Sequence, residues 1–107
     1  MFLKYILNKD VNQKHMKKSN SKFLKDYEAD MITALFHSYT RQIPSSTLME
    51  IDRIYTEETG KTLKTNFSCS GCILRLMRQM AIVYFKDNLE NLEEDLREKF
   101  KEKYKVE

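Results

Sequence analysis

Cys69 and Cys72 stand three residues apart in the run Asn66 to Phe85 (NFSCSGCILRLMRQMAIVYF), and the 107-residue chain has no other cysteine. Two thiols at this spacing, placed where a helix begins, admit four chemistries. In thioredoxin-type redox sites the helix N-terminus lowers the pKa of the first thiol. The wider context of such a site is missing, because no βαβ pattern precedes the motif and the single proline, Pro44, lies before it. Zinc is the second reading: two thiolates make half of a tetrahedral site and need two further ligands. His15 and His37 are the only histidines, His37 lying in a helical stretch from which it could in principle reach the pair. Four cysteines shared by two chains would give the cleaner geometry. A disulfide is the third reading, disfavoured in a reducing compartment. The fourth is packing, with small burial-prone side chains where a loop tucks beneath a helix and Gly71 allows close approach. Packing leads, although Cys69 stays reactive if it is exposed.

Other chemical signals are sparse. Gly60-Lys61-Thr62 has the end of a phosphate-binding loop, but that motif needs a glycine where Tyr55 stands and a strand before it. No Ser/His/Asp or Cys/His grouping is visible, so the sequence predicts a protein that is not an enzyme and implies no small-molecule substrate and, zinc apart, no cofactor. Lys61, Lys64, Arg75 and Arg78 cluster around the start of the Cys72 helix. They form a candidate phosphate-facing surface, where backbone amides also favour anions.

The elements that position these residues read as helices. Two glycines and one proline are too few for the frequent turns of a sheet. The expected fold is all-α, a single domain over residues 1–107 with about four helices at approximately 21–39, 47–59, 69–85 and 87–104. A short N-terminal apolar segment (Phe2, Leu3, Tyr5, Ile6, Leu7) precedes them, and residues 1–20 read as a basic arm or solvated connector. In the first helix Leu24, Tyr27, Met31, Leu35 and Tyr39 recur at spacings of three and four, with Ser19 or Ser21 as cap. Thr47 to Glu50 matches a capping box, and Gly60 is placed to end that helix in the left-handed conformation. Ser68 or Ser70 is expected to cap the central helix, whose Cys69, Cys72, Ile73, Leu76, Met77, Met80, Val83 and Tyr84 share one face. Ile82 and Phe85 are apolar on the other side. In the last helix Leu89, Leu92, Leu96 and Phe100 make a narrow line, suited to packing in cis or to a short coiled coil. Glu93–Arg97 and Asp95–Lys99 are favourable pairs four apart.

The net charge of +3 says less than its distribution. Residues 1–25 carry seven lysines against Asp10 alone, residues 26–60 carry seven acids against Arg41 and Arg53, and residues 61–86 hold five basic side chains and no acid. No apolar run reaches the roughly 18 residues of a membrane span, and no signal peptide is evident. The expected location is cytoplasmic, with no membrane partner.

Tyr55…Thr59-Gly60-Lys61 followed by Cys69-Ser70-Gly71-Cys72-Ile73-Leu74 opening an apolar helix resembles small phage and prophage proteins of gut Bacteroidetes, over residues 50–85. That resemblance implies a host-cytoplasmic or virion location and a role in assembly, DNA packaging or host takeover. The expected function is a non-enzymatic helical interaction or assembly protein, with self-association or a protein partner engaged through Ile82, Phe85, Leu89, Leu92 and Leu96. The alternative is a small DNA-binding module using Lys61, Lys64, Arg75 and Arg78.

Overall fold

The computed structural model describes residues 15–104, and these fold into five α-helices with no strand among them. They are α1 (Lys18–Lys25), α2 (Glu28–His37), α3 (Ser45–Thr59), α4 (Ser70–Asp87) and α5 (Glu94–Tyr104), with a 3-10 turn at Leu89–Asn91 before α5. The apolar cluster Phe2 to Leu7 and most of the basic arm fall outside the described residues. None of the five helices is long and apolar enough to cross a membrane.

α4 is the spine. Leu76, Met77, Met80, Ala81, Tyr84 and Phe85 are all buried along it, α2 packs along its length more extensively than any other helix, and α3 packs beside them. Met31, Ala34 and Leu35 supply the core from α2, and Leu48, Ile51, Ile54 and Tyr55 supply it from α3, the apolar face expected of that helix. Phe85, apolar on the side that carries Arg75 and Arg78, is fully buried rather than exposed. Its ring meets Tyr84 at 5.0 Å and Phe100 of α5 at 6.3 Å, both edge-to-face. The second apolar side of α4 is therefore covered in cis.

Several boundaries differ from the sequence reading. The stretch 21–39 is two helices broken at Asp26-Tyr27, and the first begins at Lys18 with no side-chain cap, so Ser19 and Ser21 lie inside it. Nothing in the sequence breaks the period there; the Glu28 carboxylate is claimed by the Tyr84 hydroxyl (2.6 Å) and the Asn91 amide (2.6 Å), and this fixes where α2 starts. Beyond Ser38, which is left-handed at φ 53°, Tyr39 leaves the apolar stripe and is 61% exposed. α3 starts directly after Pro44, two residues ahead of the expected capping box. Thr47 lies within its first turn and Glu50 binds Arg53 at 2.6 Å instead of reaching back. Gly60 does end α3 in the left-handed region, at φ 73°.

The last helix begins at Glu94, not at 87. Leu89 sits in the 3-10 turn and Leu92 just after it in extended backbone. Arg97 holds this connection by donating to the carbonyls of Leu89 (3.3 Å), Glu90 (3.4 Å) and Leu92 (2.9 Å), so it makes no pair with Glu93. Asp95 and Lys99 make no ion pair either.

α1 is fastened differently, by a polar clasp. The buried Asn20 amide donates to Glu57 (2.8 Å) and Glu58 (2.7 Å) of α3, while Arg53 (3.1 Å) and Lys17 (3.4 Å) also reach Glu57. The Asn20 bond first, then Arg53, hold the Glu57 carboxyl down at about 2. A depressed folded-state pKa contributes stability above the unfolded value of about 4.5 and loses it as pH falls toward the folded one. Hydrogen-exchange protection of α1 is accordingly expected to decline between about pH 4.5 and 2 before that of α4, and N20A to lower it already at neutral pH. Equal decline in both helices would count against the clasp.

Candidate functional site

The α4 helix starts because Cys69 closes its first turn. Cys69 is extended (φ −112°, ψ 114°) in the capping position, and its Sγ accepts from the Cys72 N–H at 3.3 Å. A thiol thus takes the role expected of Ser68 or Ser70. Upstream, Cys69 N–H binds the Asn66 carbonyl at 3.0 Å and Ser68 N–H binds the Asn66 side chain at 2.9 Å, a turn that aims the loop into the helix.

Both cysteines are free thiols and half-buried, and neither belongs to the core. This corrects the packing reading. Gly71 is also not required for a close approach, since a Cβ there would meet only Cys69 Sγ, at 4.0 Å. The two thiols differ electrostatically. Hydrogen bonds from the Cys72 thiol, then from the Cys72 and Gly71 amides, lower the Cys69 pKa, while the bond to Cys69 and desolvation raise that of Cys72.

As metal ligands the pair has no company. Among the described residues no third His, Cys, Asp or Glu joins it, and His15 is bound to Asp87 (2.7 Å) at the far end of α4. The described residues of one chain bring together two of the four ligands that zinc needs.

The basic residues divide. Lys61, Lys64 and Arg75 are exposed and form no ion pair among the described residues. Lys64 holds a left-handed φ of 52°, costly for a residue with a Cβ. Arg78 is turned inward instead, its guanidinium donating to the Ala34 carbonyl (3.0 Å) and the Ser38 hydroxyl, where it finishes the C-terminal turn of α2. The proposed interface residues are also engaged: Phe85 and Leu92 are buried, and Ile82, Leu89 and Leu96 pack partly against the core.

Sequence reasoning missed a second basic feature. Lys18, Lys22 and Lys25 lie on one face of α1 and, with Ser21, Tyr84, Asn88 and Asn91, line an open cavity of about 350 Å³ at the C-terminal end of α4. The spacing of four and three was the available signal.

These features define an all-α domain whose central helix opens on a pair of free thiols, preceded in the sequence by two exposed lysines. Comparison with known proteins gave no matching family model, no matching curated protein and no matching solved structure.

Proposed function

We propose that this chain is a small non-enzymatic binding module that engages the phosphate backbone of DNA with Lys61, Lys64 and Arg75. The observation carrying the reading is that these three cations are exposed and form no ion pair among the described residues, in the stretch 61–86, which holds no acid and leads into the 18-residue α4. Amides at the start of a helix add partial positive charge next to Arg75 in the sequence. Arg78 is left out of the surface because its guanidinium already serves α2.

Anisotropy of a labelled DNA duplex over a salt series tests this. Affinity is expected to fall linearly with salt on logarithmic axes. The triple variant K61E/K64E/R75E should flatten that slope by about three and weaken binding at least about a hundredfold at low salt. The variant K22E/K25E, at the opposite end of α4, should stay within about threefold of the parent, since only the three named residues are assigned to phosphate contacts. No salt-dependent binding, or equal loss in both variants, would refute the proposal. A protein-contact reading retains one support: Tyr39 and Met49 are large, apolar and 61% and 58% exposed.

A further inference from the structure

We propose that Cys69 and Cys72 form a dithiol/disulfide couple that exchanges with disulfide-bearing partners, Cys69 attacking first and Cys72 resolving. The inference is independent of DNA binding. It rests on the two cysteines sharing one helical turn, on both being partly exposed, and on the helix amide that Cys69 Sγ accepts.

Cys69 is the residue before the helix, in extended backbone, so its side chain is not locked to the helical lattice. Cβ atoms three apart on a helix lie about 5–6 Å apart, and a disulfide needs about 3.5–4.5 Å. Closing that gap falls to a rotation at the capping residue, whose carbonyl is tied to the helix by the Ile73 N–H at 3.0 Å while its N–H binds the loop at Asn66. Ser70 and Gly71 between the two cysteines are exposed, and the one atom within 4 Å of a Cβ placed at Gly71 is Cys69 Sγ itself, so the approach to that sulfur runs over exposed residues.

The roles follow from the donors. Cys69 Sγ receives the Cys72 N–H at 3.3 Å, at the start of the helix, and this contact favours its thiolate. The Cys72 thiol is pushed up instead, by its pairing with Cys69 and by desolvation. In the exchange the Cys69 thiolate attacks one sulfur of R–S–S–R′, forming Cys69–S–S–R and expelling R′–S⁻, which takes up a proton. Cys72 then gives its proton to solvent and attacks the Cys69 sulfur, forming the Cys69–Cys72 disulfide and expelling R–S⁻, which is protonated in turn. Two thiols of the chain are oxidised and one partner disulfide is reduced, with no other reactant.

The probe is 5,5′-dithiobis(2-nitrobenzoate), an aromatic disulfide, with reduced full-length chain. The parent is expected to release two chromophores per chain and to end lighter by two hydrogen atoms, with no adduct. C72S should release one and retain a mixed disulfide at Cys69. C69S should react at least about tenfold more slowly, lacking the activated thiolate. Two stable adducts on the parent, or C69S reacting as fast as C72S, would overturn the proposal. So would zinc retained by both thiolates in native mass spectrometry of the reduced chain. Because either serine variant could disturb the helix start, the parent is also equilibrated with reduced and oxidised glutathione. An internal disulfide in place of two glutathione adducts is the result expected; two adducts would refute the couple.

Discussion

Phe85→Ala is expected to destabilise the fold by about 3–5 kcal/mol, the usual cost of removing a buried phenylalanine ring from a packed core. The ring is fully buried and touches aromatic neighbours on both sides, Tyr84 at 5.0 Å and Phe100 at 6.3 Å. Removing it opens a cavity where α4 meets α5, and α5 has only Phe100 fully buried to hold it there. Domains of this size have about 5–15 kcal/mol in total, so the variant loses a large share of it. Urea denaturation followed by far-UV circular dichroism measures the loss. Met49→Ala, at a side chain 58% exposed, should shift the midpoint by no more than about 0.5 kcal/mol equivalent. A loss below about 1 kcal/mol for Phe85→Ala would mean that α5 does not cover α4 as described.

Leu92→Asp should be nearly as damaging, and for a different reason. Leu92 is 2% exposed, between the 3-10 turn and α5. A carboxylate there would be taken out of water among apolar side chains, and the Arg97 guanidinium beside it is already donating to the carbonyls of Leu89, Glu90 and Leu92. A cost of about 3 kcal/mol or more corresponds to a fall of roughly 12–24 °C in melting temperature for a domain near 100 residues. If the leucine line were an intermolecular seam, the same variant would instead turn an oligomer into a monomer of undiminished stability. Thermal unfolding and light scattering on one sample separate the outcomes: unfolding at lower temperature without a prior mass change is the one expected here.

The parts of this fold that were legible in the sequence are those fixed by local rules. The core face of α3, the left-handed stop at Gly60 and the helix opening at the cysteine pair follow from periodicity, glycine chemistry and spacing. The break at Asp26-Tyr27 was not legible, because no glycine or proline marks it and the apolar period runs through. The Glu28 carboxylate decides it by binding Tyr84, 56 residues away. The same applies to Arg78. Its sequence position beside Lys61, Lys64 and Arg75 gave it a phosphate-facing role, and only the arrival of α2 against α4 shows its guanidinium occupied. Of the candidate dithiol site, the pair and its helix end were readable, but the degree of burial was not. Small apolar character predicts full burial for cysteine, whereas these two sit half-buried where the loop from Gly60 to Ser68 meets α4.

The guanidinium of Arg78 at the end of α2 has a bearing on the order in which the chain folds. Ser38 carries the left-handed turn that glycine would adopt at no steric cost, so the local sequence supplies a poor stop for α2. The stop is completed by a partner 40 residues along the chain, and the Ala34 carbonyl by the same partner 44 residues along. A contact of that separation must first overcome the entropy of closing the intervening loop, which contains all of α3. The last turn of α2 therefore belongs to the late, long-range stage of folding, while its first turns can form early, and the final length of the helix is written by α4.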